Sequence, residues 1–157
     1  MITPLRRDRN LQIILETGII AVIRAQSSEQ LVDVAKALRE GGVKAIEVTM
    51  TTPNALEVIH QVSALMKDDC VIGVGTVLDP ETARAAILAG AEFVVAPTLN
   101  LKTIHMCRRY SALCVPGAYT PTEILTAWEA GADIVKVFPA TGLGPEYFKD
   151  ILGPLPQ

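Results

Sequence analysis

Lys136 lies inside Asp133-Ile134-Val135-Lys136-Val137-Phe138, an apolar run with the composition of a buried strand. Removing an ammonium from water among valines and isoleucines is costly unless the amine is neutral, paired or in use. Desolvation favours the neutral amine, which is the nucleophile that forms a Schiff base with a carbonyl. The competing reading is a lysine whose head reaches solvent at the strand end or pairs with one carboxylate. A second apolar run, Ala45-Ile46-Glu47-Val48-Thr49-Met50, carries a glutamate. Strand side chains alternate, so Ala45, Glu47 and Thr49 share one face and Ile46, Val48 and Met50 the other. The same count groups Ile134, Lys136 and Phe138. A glutamate and a lysine turned into one cavity make an acid/base and nucleophile pair. The alternative is a buried structural ion pair, which seldom stabilises a fold enough to account for itself. Arg24 follows Ile20 and Val22 on the alternation of another apolar run. It either holds a substrate group as a fork or is a rim arginine paired with Glu47 or another carboxylate.

These residues need elements to carry them, and the chain alternates short β-branched runs with longer amphipathic stretches. Residues 5–16 read as a leading helix with Leu11, Ile14 and Leu15 on one side. Ile19 to Arg24 is a strand. Ser27 and Ser28 offer an N-cap to a helix from Glu29 to Glu40, with Leu31, Val34, Ala35 and Leu38 on one face. Gly41-Gly42 ends it. Ala45 to Met50 is the second strand. Pro53 starts the next helix, along which Leu56, Ile59, Val62 and Leu65 or Met66 recur at helical spacing. Strands then follow at Val71 to Val74, Phe93 to Ala96, Leu113 to Val115 and Ile134 to Phe138. Helices alternate with them at Pro80 to Leu88, Leu101 to Arg109, Pro121 to Glu129 and Pro145 to Leu152. Three helix ends carry related text: Gly41-Gly42-Val43-Lys44-Ala45, Gly90-Ala91-Glu92-Phe93 and Gly131-Ala132-Asp133-Ile134. A repeated glycine turn into a strand is what an iterated βα unit requires.

Composition excludes several classes. The chain has 157 residues, half of them hydrophobic and few aromatic, so its core is built from Ala, Val, Ile and Leu, as in parallel α/β proteins. A net charge of -3 gives no basic footprint for nucleic acid, and Arg6, Arg7, Arg9, Arg108 and Arg109 are too scattered to form one. No apolar run approaches the ~18 residues of a membrane span, and no signal-peptide pattern follows the N-terminus. Cys70, Cys107 and Cys114 have no ligand spacing and read as reduced thiols of a cytoplasmic protein. His60 and His105 read as surface residues on helices, without the carboxylate spacing of a metal site. Trp128 and Tyr147 read as packing residues.

Strict β-α alternation gives a parallel sheet, either an open doubly wound one or a barrel. No GxGxxG follows the first strand, and Gly73-Val74-Gly75-Thr76 is not followed by the lysine of a phosphate-binding loop. Polar residues gather instead at the carboxyl ends of strands: Arg24, Glu47, Thr49, Thr76 and Lys136. Barrel enzymes place their chemistry there. The expectation is an α/β (β/α)8 TIM-type barrel with only about six βα units, as one domain over residues 1–157. Units seven and eight are absent from a chain of this length, since a closed barrel needs eight strands and typically at least ~200 residues.

Gly18-Ile19-Ile20-Ala21-Val22-Ile23-Arg24, Ile46-Glu47-Val48-Thr49, Gly73-Val74-Gly75-Thr76-Val77, Val115-Pro116-Gly117, Thr120-Pro121-Thr122-Glu123-Ile124 and Val135-Lys136-Val137-Phe138-Pro139-Ala140 together resemble one family. It is that of the 2-keto-3-deoxy-6-phosphogluconate (KDPG) and 4-hydroxy-2-oxoglutarate (KHG) aldolases. Order and spacing match from about residue 10 to the C-terminus. The resemblance implies a C-terminally truncated class I aldolase on a (β/α)8 barrel, a homotrimer when the barrel is complete, needing no metal or other cofactor. It assigns the Schiff base to Lys136, proton transfer to Glu47 and the pyruvyl carboxylate to Thr76. Pro97 and Phe138 would shape the pocket; apart from the resemblance, the alternation of strand two adds Thr49, on the face of Glu47, as a substrate-binding candidate. The reaction implied is cleavage of a 2-keto-3-deoxy sugar acid to pyruvate and a three-carbon aldehyde.

Thr51 departs from the pattern, because many family members carry arginine there; Arg24 would supply the missing cation. The turns that hold the substrate phosphate follow strands seven and eight in this family and map onto no residue here. The preferred 2-keto acid stays open between the KDPG substrate, 4-hydroxy-2-oxoglutarate and a galactonate-derived epimer. A different class of reading is a non-catalytic fragment maintained by association, since an open sheet exposes strand edges. No membrane or nucleic-acid partner is expected.

Overall fold

The computed structural model describes residues 5–24, 28–66 and 69–157. A first helix, α1 (Arg6–Thr17), leads into β1 (Ala21–Ile23), α2 (Ser28–Glu40), β2 (Ala45–Thr49), α3 (Ala55–Leu65), β3 (Val71–Gly75), α4 (Pro80–Ala89), β4 (Phe93–Val95) and α5 (Leu101–Arg109). The chain continues through β5 (Leu113–Val115), β6 (Gly117–Ala118), α6 (Pro121–Glu129), β7 (Lys136–Val137) and α7 (Gly144–Leu152). The N-cap expected at Ser27 lies outside the described residues.

All ladders are parallel, and strand order follows chain order: β1-β2-β3-β4-β5 in one sheet and β6-β7 in a second. Pro116 separates β5 from β6 because it has no N–H to donate. The two strands are otherwise one stretch, which is why the single strand expected at Leu113 to Val115 is followed by a seventh. The ladder passes without a gap from Cys114 to β7, as Asp133 N donates to Cys114 O at 3.0 Å and Lys136 N to Pro116 O at 2.9 Å. A doubly wound sheet reverses its strand order at a switch point. Sequential parallel order without reversal is the order of a barrel wall, and the fold is a partial (β/α)8-type barrel.

Alternation along the strands makes two shells. Ile46, Val48, Ile72, Val74, Val94 and Cys114 face the helices and pack with Leu31, Ala35, Val58, Ile59, Val62, Met66 and Ile104. Ala45, Val71, Phe93 and Leu113, the first residues of β2 to β5, face the interior, where Ile14 of α1 packs on them. Helix α1 therefore closes the amino end of the wall and leaves the carboxyl end open. Phe93 fits because β3 offers no side chain opposite it. A Cβ on Gly73 would lie 2.3 Å from the Phe93 ring.

Several sequence expectations shift. Leu15 does not join Ile14 in the interior but is exposed, and Val34, Leu56 and Leu65 also face outward. The buried stripe of α3 runs through Ala55, Val58, Ile59 and Val62, the positions that share one face at 3.6 residues per turn. Helix α3 starts after Pro53, because Asn54 adopts the left-handed conformation at φ 53° and turns the chain first. His60 and His105 are exposed, and the three cysteines are buried free thiols. Trp128 is 41% exposed rather than packed inside. With Leu15, Ile134, Val135, Val137 and Phe148 it lines an apolar groove beside β7. Tyr147 is half-buried and donates its hydroxyl to Tyr119 O. Among the described residues, no helix is long and apolar enough to cross a membrane.

Gly73→Ala tests the interior packing. Overpacking against a fixed ring is expected to destabilise the chain by about 1–3 kcal/mol in urea denaturation, with part of the loss recovered by adding Phe93→Leu. Unchanged stability in the single variant would show that the inner layer is loose.

Candidate active site

Every residue of β2 is buried, because the strand is hydrogen-bonded on both sides and covered by helices outside. Glu47 is 4% exposed and faces the interior. Its carboxylate leans across β3 to the place where a Cβ on Gly75 would stand, 1.7 Å from Oε1. Glycine at position 75 is thus required by the glutamate. Burial raises the carboxyl pKa, and the nearby charges of Lys136 and Arg24 oppose that rise. Desolvation is the larger effect, so Glu47 holds its proton more tightly than an exposed glutamate. The three charges therefore share one end of the wall.

Lys136 begins β7, the shortest of the strands that carry these groups. It is half-buried, which corrects the expectation of a fully buried strand from Ile134 to Phe138. The reason is topological: β7 pairs with β6 on one side, and among the described residues no strand lies on its other side. Lys136 Nζ lies 4.9 Å from the centroid of the Phe138 ring, within reach of a cation–π attraction. Among the described residues, no carboxylate pairs with Lys136 or Arg24 within 4.0 Å, so neither the buried ion pair nor the rim pair considered from sequence is formed. Arg24 is exposed at the end of β1, whose Val22 is in register with Glu47.

The remaining sequence candidates fall around the same end. Thr49 is fully buried, and its hydroxyl is 2.9 Å from that of the exposed Thr51. Thr76, directly after Gly75, has φ 60°. A β-branched residue in the left-handed region costs on the order of 1–3 kcal/mol, and such strain concentrates at binding sites. Pro97 and Phe138 line one cavity of about 330 Å³ with Gly117, Tyr119, Glu123 and Pro139. Thr76 is half-buried at the end of β3, outside the lining of that cavity.

Sequence reasoning missed Gly75, Tyr119 and Glu123. Glu123 was signalled by Thr120-Pro121-Thr122-Glu123, the spacing of a capping box. Its Oε2 accepts from Tyr119 N and Thr120 N, both at 2.9 Å, while Thr120 Oγ1 accepts from Glu123 N at 3.3 Å. Those bonds hold its carboxyl below the usual range and fix the loop at the cavity rim. No local signal marked Gly75, because the group that needs its empty space comes from another strand.

Comparison with known proteins gives a consistent result. The family model described as KDPG and KHG aldolase matches residues 11–157. The 2-dehydro-3-deoxy-phosphogluconate aldolase of Treponema pallidum is 39% identical over 129 residues, covering 80% of this chain and 60% of its own. The 2-dehydro-3-deoxy-6-phosphogalactonate aldolase of Escherichia coli is 32% identical over 139 residues, covering 88% of this chain and 68% of its own. A solved structure of the KDPG aldolase of Legionella pneumophila, with pyruvate captured as a covalent carbinolamine intermediate, has a TM-score of 0.81 at 29% identity. It covers 88% of this chain and 67% of that one. The chain spans about two thirds of the length of such relatives. With a matched model over nearly its whole length and relatives at this identity, the chain belongs to the KDPG and KHG aldolase family.

Proposed function

We propose that the chain acts as a class I aldolase, cleaving 2-dehydro-3-deoxy-6-phosphogluconate to pyruvate and glyceraldehyde 3-phosphate through a Schiff base at Lys136. The observation that carries this reading is the buried Glu47 carboxylate within the electrostatic reach of Lys136, without an ion pair between them, at the open end of the wall. With no ion pair to Lys136 among the described residues, its amine would attack a carbonyl, and the carboxylate is tuned by burial to take and return a proton.

The chemistry follows from these two groups. The Lys136 amine adds to C2 of the keto acid and gives a carbinolamine, the species captured with pyruvate in the Legionella relative. Loss of water leaves a protonated imine, which draws electrons from the C3–C4 bond. Glu47 takes the proton of the C4 hydroxyl as that bond breaks, so the aldehyde departs and an enamine remains. The same carboxyl then delivers a proton to C3, and water releases pyruvate and the free amine. Thr76, Thr49 and Thr51 would orient the pyruvyl end through their hydroxyls, and Arg24 would offer a fork for its carboxylate. Pro97 and Phe138 bound the space for the carbon chain. Cleavage of 4-hydroxy-2-oxoglutarate or the phosphogalactonate epimer uses the same pyruvyl half; relatives carry each of these names. The family resemblance extends the reading to a cytoplasmic homotrimer.

Borohydride reduction in the presence of pyruvate should add a pyruvyl mass at Lys136, read by peptide mass spectrometry. An adduct at Lys44 or Lys149 instead would overturn the assignment.

Glu47→Gln should slow solvent exchange of the pyruvate methyl protons by about 10²–10⁴ with the fold intact. The same variant has a stability signature. The folded pKa of Glu47 is raised above its unfolded value, so the folded state binds the proton more tightly. Stability contributed by this group is present below the ordinary carboxylate pKa and is lost as pH rises through the raised folded pKa. Glu47→Gln should remove that decline, leaving the variant more stable than the parent at neutral pH. A parent that is equally stable across that window, or undiminished exchange in the variant, would show that Glu47 has neither the environment nor the role.

Arg24→Lys keeps the charge and loses the fork. It should raise the pyruvate concentration needed for half-maximal trapping and leave thermal stability nearly unchanged. Lost stability with unaltered trapping would make Arg24 structural.

A further inference from the structure

The turns repeated along the chain end in a charged residue just before a strand, and α1 reaches two of them. At the foot of β4, Glu92 accepts from Arg6 Nε at 2.8 Å and from Asn10 Nδ2. At the foot of β7, Asp133 accepts from Arg7. The Asp133 side chain is only 3% exposed, and its second oxygen accepts from Cys114 N at 2.8 Å. Its own N–H returns to Cys114 O at 3.0 Å, which closes a ring with β5. Removing either partner of a buried, hydrogen-bonded charge pair is far more disruptive than removing an exposed one.

This ring matters because the strand of the nucleophile begins just beyond it. Lys136 stands three residues on, past bends at Asp133 and Ile134, and both oxygens of Asp133 are engaged by Arg7 and Cys114 N. Beyond the ring, β7 is held by Lys136 N to Pro116 O and Phe138 N to Ala118 O, both at 2.9 Å and both on one side. The nucleophile thus sits on a strand with one edge unpaired among the described residues, and its foot is fixed by Asp133.

We propose that Asp133, held by Arg7 of α1, is a positioning residue that sets the register of β7 and thereby the place of Lys136. The inference rests on the Schiff-base reading for its catalytic consequence, but not for its structural one. Arg6 and Arg7 are adjacent on the same helix and each pairs with a carboxylate at the foot of a strand, the Arg6 pair being the more exposed, and of the two only Arg7 reaches the strand of the nucleophile. That pair separates positioning from general support of the fold.

The test compares Arg6→Met, Arg7→Met, Arg7→Lys and Asp133→Asn in the full chain. Amide hydrogen exchange of residues 134–138 should accelerate at least about tenfold in Arg7→Met and Asp133→Asn, with residues 45–49 and 93–95 unchanged. Arg6→Met should leave residues 134–138 protected, and Arg7→Lys should restore protection. Pyruvate trapping at Lys136 should slow by about 10- to 100-fold in Arg7→Met, the scale expected for a misplaced reacting group. Its half-saturating pyruvate concentration should change little. Equal effects of Arg6→Met and Arg7→Met, unfolding of the whole chain by each substitution, or trapping that is unaltered while exchange rises would each overturn the proposal. A parent that traps no pyruvate would instead refute the Schiff-base reading, and the exchange pattern alone would then decide whether Asp133 sets β7.

Discussion

A carboxylate held away from water at the end of β2 is the constraint on which the open end of this wall depends. Burying Glu47 is unfavourable for its charged form, and the rest of the structure makes the burial possible. The strand is paired on both sides and covered by helices, so it cannot yield. Gly75 leaves the space the carboxylate occupies, and Thr76 then carries the strained conformation that turns the chain out of β3. Lys136 and Arg24 lower the cost from across the mouth without contacting the carboxylate. The outcome is a group whose affinity for a proton is raised by its surroundings, which is the property a proton shuttle requires.

The two shells divide the work of stability and chemistry. Outside the strands, aliphatic side chains of α2 to α5 cover Ile46, Val48, Ile72, Val74 and Val94. That layer supplies the continuous apolar burial on which a parallel sheet relies. Inside, the layer is thinner. Ile14, Ala45, Val71, Phe93 and Leu113 fill the amino end, and Gly73 gives up its side chain so that one aromatic ring fits. Helix α1 does more than close that end. Its Arg6, Arg7 and Asn10 meet the carboxylates of Glu92 and Asp133, so one polar helix face ties two strands that are distant in sequence.

The proposed acid and the proposed nucleophile are held differently. Glu47 sits in a strand that is buried throughout and Lys136 in one that is half-buried. The lysine keeps contact with Phe138, and among the described residues its strand pairs on one side alone, with β6 and the preceding Pro116. The apolar groove lined by Leu15, Trp128, Ile134 and Phe148 lies on the same open side. Precision at Lys136 therefore depends on few bonds, and each of them carries more consequence than a comparable bond at Glu47.

Much of this was legible in the sequence for local reasons. Periodicity located all the helices, and α5 and α6 begin and end where Leu101 to Arg109 and Pro121 to Glu129 suggested. Alternation gave the inward faces of β2 and β7, because side-chain direction in a strand is fixed by the backbone itself. The ordered motifs pointed to the family and to Lys136 and Glu47. What the tertiary structure decided was relational. Only the sheet order separates a barrel wall from a doubly wound sheet. Only the neighbour across β3 explains why residue 75 has no side chain. The half-burial of Lys136 follows from which strands flank it, and the exposure of Leu15 and Trp128 from which helices reach them. The repeated turns read from sequence only as glycine turns into strands, with no role for their acidic residues. Their meeting with Arg6 and Arg7 depends on a contact across 126 residues of chain between Arg7 and Asp133, which no local pattern records. Sequence fixes what is set within a few bonds of each residue; folding fixes which of those residues become neighbours, and the chemistry here arises from neighbours.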